Sequence, residues 1–225
     1  MNNVLILDTE TSGLDPKTSK TIEVGVILFS LDHMQAISSF SSLIRCDGQP
    51  KETEAINGIP SGMLPLAPEG HDVWAQVRTY VGFSKAILAH NAEFDKMFVP
   101  EDVAGKTPWI CTMDDVTWPR AGSSKGLVAL ALAHGIGVSS AHRALTDCGL
   151  ISALLSRTHE LGGDVKAMLR RGLRPKAKFK AVVSYETNQL AKDAGFKWHP
   201  AEKMWARSMA CEDVGALPFK VLALP

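Results

Sequence analysis

The order of the apolar segments constrains this chain before any single residue does. NVLILDTET (3–11) carries a short apolar run and is bounded by Gly13 and Pro16. TIEVGVILFS (21–30) and AISSFSSLI (36–44) follow, split by Leu31, Asp32, His33 and Met34. Three such runs separated by turn residues predict an antiparallel meander. KETEAING (51–58) predicts a brief helix, and IPSGMLPLAPEG is too rich in proline and glycine to be anything but loop. Val73, Trp74, Val77, Tyr80 and Val81 recur at helical spacing within 71–82, ahead of a strand over 86–90. The pattern then alternates. A short helix runs through Phe98 with Asn91 at its N-cap position, a strand covers 109–112, and two apolar helices cover 124–135 and 143–161. A meander followed by alternating strands and helices predicts an α/β fold whose mixed five-stranded sheet is flanked by helices.

At 225 residues the chain has room for one domain with a well-buried core and a small appendage. Hydrophobic residues at 45% and charged ones at 21% exclude disorder along most of the length. The formal charge of zero hides an asymmetry. Residues 1–165 hold 12 Lys/Arg against 19 Asp/Glu, whereas residues 166–225 hold 12 against 5. An acidic body with a basic end suits a chain whose acids hold cations while its lysines and arginines meet phosphates, and it equally suits a solvated basic surface. Gly162-Gly163 and the basic run LRRGLRPKAKFK mark a boundary. The expected division is therefore a domain over 1–165, a basic linker over 166–177 and a small α+β module over 178–225. In that module 179–185 is read as strand, 186–196 as helix, 197–209 as hairpin and 211–217 as helix.

Cys46, Cys111, Cys148 and Cys211 are far apart, without a CxxC pair or zinc-like spacing, and read as reduced thiols. The first carboxylate arrives at residue 8 after four apolar residues, so no secretory signal is expected, and no tract is long enough to span a membrane. A cytoplasmic protein without a membrane partner is the expectation.

Four carboxylates stand out against this background: Asp8 and Glu10 in VLILDTETSGL, Asp95 in HNAEFDKMF, and Asp147 in HRALTDCGL. Residues two apart on a strand share a face, so Asp8 and Glu10 address one site. Asp95 falls near the start of one helix and Asp147 near the start of another. Acids gathered in apolar surroundings need a counter-charge, and hard oxygen ligands favour Mg²⁺ or Mn²⁺. Two such ions can stabilise the attacking and leaving oxygens of a phosphodiester in line, with Asp8 the candidate shared ligand. His142 lies five residues before Asp147, about 140° away on a continuous helix, so it is expected in the loop ahead of the helix, free to swing over the site. A neutral imidazole there suits a general base. A DxE triplet arises by chance about once in a chain of this size. The order of the three segments carries the argument, not any one of them.

DTETSGL, HNAEFDKMF and HRALTDCGL resemble the three exonuclease motifs of the DnaQ-like DEDD superfamily, in its histidine-containing subgroup, over residues 3–160. WICT and the helices after it are similar to exonuclease X-type enzymes. The resemblance implies a ribonuclease H-like fold, two Mg²⁺ or Mn²⁺ ions, and 3′→5′ release of nucleoside 5′-monophosphates. It implies Asp8, Glu10, Asp95 and Asp147 as ligands and His142 as base. It further implies that Thr11, Ser12, Gly13, Leu14, Asn91 and Phe94 line a pocket for the terminal nucleotide. For Phe94 and Leu14 core packing is the competing role, and for Asn91 the helix cap. DNA is the expected substrate and partner. RNA, or a catalytically silent nucleic-acid adaptor, are the alternatives.

Other polar residues have structural readings. His90 and His134 are expected to be satisfied by hydrogen bonds, Glu93 to point away from Asp95, and Asp114-Asp115 to begin an exposed helix. In the basic module, Trp198 and Trp205 are expected in a small core. Some of Lys192, Lys197, Lys203 and Arg207 are expected to meet nucleic acid.

Overall fold

The N-terminal apolar run forms β1 (Asn3–Thr11), the middle strand of a five-stranded sheet, and its Val4, Leu5, Ile6 and Leu7 are fully buried. A central strand is covered on both faces, which is why an apolar run without alternation suits it. β1 pairs antiparallel with β2 (Thr21–Ser30), and β2 pairs antiparallel with β3 (Gln35–Leu43). β3 is an edge strand, and its serine-rich sequence is largely exposed. On the other side β1 runs parallel to β4 (Ile87–Ala89), which runs parallel to β5 (Trp109–Cys111). The mixed sheet predicted from segment order is thus the observed one. The computed structural model describes residues 2–122, 124–139 and 142–224.

Helices α1 (Lys51–Asn57), α2 (Gly70–Gly82), α3 (Ala92–Phe98), α4 (Glu101–Ala104), α5 (Leu127–Ala133), α6 (Ala144–Glu160) and α7 (Val165–Gly172) complete the first unit. Leu5 and Leu7 of β1 join Val73, Val77 and Val81 of α2 and Val99 and Val103 beyond α3 in one core. Each fully buried side chain of this size stabilises the fold by about 1.5–3 kcal/mol. By strand alternation, Val4, Ile6, Asp8 and Glu10 face the opposite side, where α6 packs on β1 and β2. The segment 59–70, expected to be loop, contains a 3-10 turn at Ser61–Leu66, because Leu64 is drawn into a cluster with Ile22 and Ile59.

The expected linker is not one. The chain divides into Met1–Gly172 and Leu173–Pro225, and most of the run 166–177 is regular structure. Asp164 Oδ1 accepts the Ala167 amide at 2.9 Å and starts α7, whose Val165 and Leu169 are buried. Gly172 ends that helix against β5, where a Cβ would stand 2.7 Å from Ile110 Cγ2. Of the basic residues that suggested a linker, Arg170 and Arg171 occupy the exposed face of this amphipathic helix, and Lys176, Lys178 and Lys180 belong to the strand that opens the second unit.

The second unit holds β6 (Lys176–Ala181), α8 (Asn188–Asp193), β7 (Lys197–His199), β8 (Met204–Ala210), a 3-10 turn (Cys211–Ala216) and β9 (Val221–Ala223). Its four strands are antiparallel in the order β7-β8-β6-β9, with Phe179, Ala181, Ala191, Phe196 and Met209 as core. β6 begins three residues earlier than the sequence predicts, and β9 was not anticipated. Both follow from pairing: β6 is the inner strand between β8 and β9, so its lysines are held by partners that its own sequence does not reveal.

Candidate active site

Asp8 and Glu10 leave the C-terminal end of β1 on one face, as their spacing requires. Opposite Asp8 in the antiparallel register is Gly25, and opposite Glu10 is Glu23. Gly25 is what lets α6 reach the sheet. A Cβ there would lie 2.4 Å from the Leu145 nitrogen and 2.5 Å from the Ala144 carbonyl carbon. The Cys148 thiol donates to the Gly25 carbonyl at 3.3 Å, fixing the same contact one turn on. Ala144, Cys148, Ile151 and Leu155 form the buried stripe of α6, and Asp147 adjoins that stripe in the first turn. The helix therefore carries its acid to the end of β1. Oxygens of Asp8, Glu10 and Asp147 lie within 4.8 Å of one another.

Asp95 lies outside this trio but belongs to the same electrostatic group. It is buried on α3, and its Oδ1 accepts the Thr9 backbone amide at 3.1 Å and the Thr9 hydroxyl at 2.9 Å. Burial, then the charges of Asp95, Asp147 and Glu10, raise the Asp8 carboxyl well above the usual carboxylate range. Burial followed by Asp147 and Glu23 pushes Glu10 up to about 7. Burial likewise pushes Asp95 to about 7 against the two Thr9 hydrogen bonds. Asp147 is also raised by burial, while the His142 ring and backbone amide hold it down. Four neighbouring acids, each pushed upward chiefly by burial, describe a site short of positive charge. Asp147 Oδ1 is buried without a hydrogen-bond partner among the described residues. Three convergent carboxylates and an orphaned buried oxygen fit a hard divalent cation.

His142 stands in the bend two residues before α6, exposed, with φ +61°. The loop position expected for it is the observed one. Beside it, Arg143 supplies what sequence reasoning missed. Glu23 is only 3% exposed, and Arg143 donates to both of its carboxylate oxygens, from Nε at 3.0 and 3.2 Å and from Nη2 at 2.7 Å. The Ala144 amide donates to the same carboxylate at 3.1 Å. This clasp ties the start of α6 to β2. The available signal was a lone acid in the otherwise apolar TIEVGVILFS, with an arginine directly ahead of the last long helix.

The segment after β1 is internally braced. The Thr11 hydroxyl donates to the Gly13 carbonyl at 2.7 Å, and the Ser12 hydroxyl accepts the Lys20 amide at 3.0 Å. Gly13 leaves room for its own loop, since a Cβ would meet Ser19 Oγ at 2.5 Å. Leu14 is 81% exposed, which removes core packing as its role. Phe94 is half-buried against Phe98, with ring centroids 4.9 Å apart. Asn91 occupies the N-cap position of α3 yet makes no side-chain capping bond. Its φ of +72° is a left-handed conformation that asparagine tolerates better than most residues, so the turn uses its backbone and not its cap.

The structural readings of other residues hold, with one exception. His90 bonds to Thr112 Oγ1 and the Lys125 carbonyl, His134 to the Leu130 carbonyl, and Glu93 pairs with Lys96. Asp114 and Asp115 begin no helix. They lie in the turn after β5, where Asp115 accepts the Cys111 amide at 2.7 Å.

Comparison with known proteins places this geometry. Residues 5–155 match the Exonuclease (RNase T) family, and residues 177–224 match a domain of unknown function, DUF8626. The DNA polymerase III subunit epsilon of Treponema pallidum (strain Nichols) is 30% identical over 159 residues, covering 66% of this chain and 73% of that protein. Exodeoxyribonuclease 10 of Escherichia coli (strain K12) is 34% identical over 158 residues, covering 67% of this chain and 66% of its own length. Larger relatives are matched only in part, as with the DNA polymerase III PolC-type of Thermotoga petrophila, of which the chain covers 12%. Among solved structures, exonuclease X in complex with 5′ overhanging duplex DNA superposes with a TM-score of 0.59 at 29% identity, over 75% of this chain and 99% of that one.

Proposed function

The chain belongs to the Exonuclease (RNase T) family of 3′→5′ exonucleases, and on that premise we propose that it removes nucleotides from the 3′ ends of DNA as nucleoside 5′-monophosphates. The observation that carries the proposal is the convergence of Asp8, Glu10 and Asp147 within 4.8 Å, with Asp95 beside them.

In this reading Asp8, Glu10, Asp95 and Asp147 would hold two Mg²⁺ or Mn²⁺ ions, with Asp8 the acid on which the charges of the other three converge. Bound there, the ions supply charge stabilisation for the attacking and leaving oxygens of an in-line displacement. Thr9 orients the Asp95 carboxylate through two hydrogen bonds. The Glu23–Arg143 clasp and Gly25 hold Asp147 at the end of β1. His142, exposed ahead of α6, accepts the proton of the attacking water as general base. The Thr11–Leu14 segment, Asn91 and Phe94 receive the terminal nucleotide, with the exposed Leu14 offering an apolar surface to its base. A cytoplasmic setting accords with four free thiols.

The test is a panel of matched single-stranded DNA, duplex DNA and RNA with Mg²⁺ or Mn²⁺, resolved by product length. DNA shortened stepwise, faster than RNA, is the expected result. Faster loss of RNA would reassign the substrate, and binding without hydrolysis in either metal would favour the adaptor.

A further inference from the structure

The small sheet of residues 173–225 carries a cleft of about 620 Å³ whose lining includes Lys180, Tyr185, Lys192, Trp198, Lys203 and Trp205. Neither aspartate nor glutamate lines it. Of the five acids of this unit, Glu212 and Asp213 pair with Arg174 and Asp193 with Gln189, while Glu186 accepts the Ser184 hydroxyl at the rim of the cleft and Glu202 is exposed in the turn beside Lys203. Among the described residues no ion pair involves Lys180, Lys192 or Lys203. The cleft is therefore cationic.

Its aromatic wall differs from the small core expected from the sequence. Trp198 and Trp205 face each other across β7 and β8, with ring centroids 5.6 Å apart and planes tilted by 55°. Trp205 rests on the core of the unit, but Trp198 is 47% exposed and Tyr185 is 88% exposed. The Lys192 ammonium sits 5.7 Å from the Trp205 ring centroid, a cation–π contact that keeps the charge at the cleft. Arg207, which the sequence suggested as a phosphate contact, is turned inward and donates to the Ala194 carbonyl at 2.5 Å. One tryptophan anchors the wall while the other presents its face to solvent.

We propose that this cleft binds single-stranded nucleic acid, with bases stacked on Trp198 and Tyr185 and phosphates met by Lys180, Lys192 and Lys203. The combination selects the ligand. Exposed rings beside lysines suit a polymer that alternates flat bases with anionic phosphates, and an acidic peptide has no base faces to stack. A duplex keeps its base faces inside the helix, so the strand must be single. The inference rests on residues 173–225 alone and stands apart from the hydrolytic reading.

The test is fluorescence anisotropy of a labelled oligothymidylate with the full chain in EDTA, where binding is read without cleavage. Trp198→Ala is expected to weaken binding about tenfold or more, and Trp198→Phe to retain most of it. The double variant Lys192→Ala, Lys203→Ala is expected to flatten the slope of log affinity against log salt by about 1.4, from roughly 0.7 per phosphate contact on a single strand. Because Trp198 is half-exposed, an unchanged melting temperature for its variants shows that the unit remains folded. Wild-type affinity in Trp198→Ala would overturn the proposal. So would equal affinity for thymidine monophosphate and the oligonucleotide, since the cleft would then hold a nucleotide and not a strand.

Discussion

Gly25 lies so close to Leu145 that a Cβ on the glycine would stand 2.4 Å from the Leu145 nitrogen. That approach sets the distance between β2 and α6, and with it the place of Asp147 relative to Asp8. The Gly25→Ala variant must push the helix outward or distort the strand. A loss of about 1–3 kcal/mol in stability is expected from overpacking, and a loss of about 10²-fold in hydrolysis from misplacing Asp147. Chemical denaturation and steady-state kinetics on the same preparation check both. Full activity in Gly25→Ala would show that the contact does not position the acid.

Arg143 closes the same junction from the other side. Removing its guanidinium in Arg143→Ala leaves the nearly buried Glu23 carboxylate with only the Ala144 amide of its present partners, at an expected cost of about 1.5–3 kcal/mol. Arg143→Lys should recover less than half of this, because a single ammonium cannot reproduce contacts to both Glu23 oxygens. Equal stability of the lysine variant and the parent would contradict a two-oxygen clasp.

The crowded acids predict an unusual response to pH. Burial raises Glu10 from an ordinary 4.5, and Asp95 from 3.8, to about 7. A raised folded-state value means that the protonated forms favour the fold, so their contribution is complete below the ordinary values and is lost as pH climbs through about 7. In EDTA the melting temperature should fall between about pH 5 and pH 8. Mg²⁺ or Mn²⁺ should restore more of it at the upper end than at the lower, because a cation favours the ionised acids. A metal-free melting temperature that rises over this range would show that other groups dominate.

His142 tests the division between chemistry and folding. Exposed and outside the helix, it contributes little packing. The expected outcome of His142→Ala is a drop of about 10²–10⁴-fold in kcat, with a change in stability within about 0.5 kcal/mol. A variant that melts early without slowing turnover would reverse the assignment.

The parts legible in the sequence were those written in local pattern. NVLILDTET reads as a central strand because apolar residues crowd both of its faces, and Asp8 and Glu10 share a side because strands alternate. His142 fell into the loop before α6 by helical geometry alone. The Glu23–Arg143 clasp was not legible as a pair, since it spans 120 positions and depends on how α6 packs against β2. The helix α7 was hidden because its basic outer face dominated the composition, although Val165 and Leu169 stand at helical spacing. Trp198 misled for a related reason. A tryptophan in a short strand predicts burial, yet β7 lies at the sheet's edge with too little structure beyond it to cover the ring.

The most direct measurement follows the last nucleotide of a DNA strand. An oligonucleotide labelled on its 3′-terminal nucleotide, incubated with Mg²⁺ and the full chain, should release that label as a nucleoside 5′-monophosphate in the earliest products. Asp8→Ala and Asp147→Ala should release none. Label retained in long fragments while the 5′ end shortens, or release at the parent rate by either variant, would contradict the account.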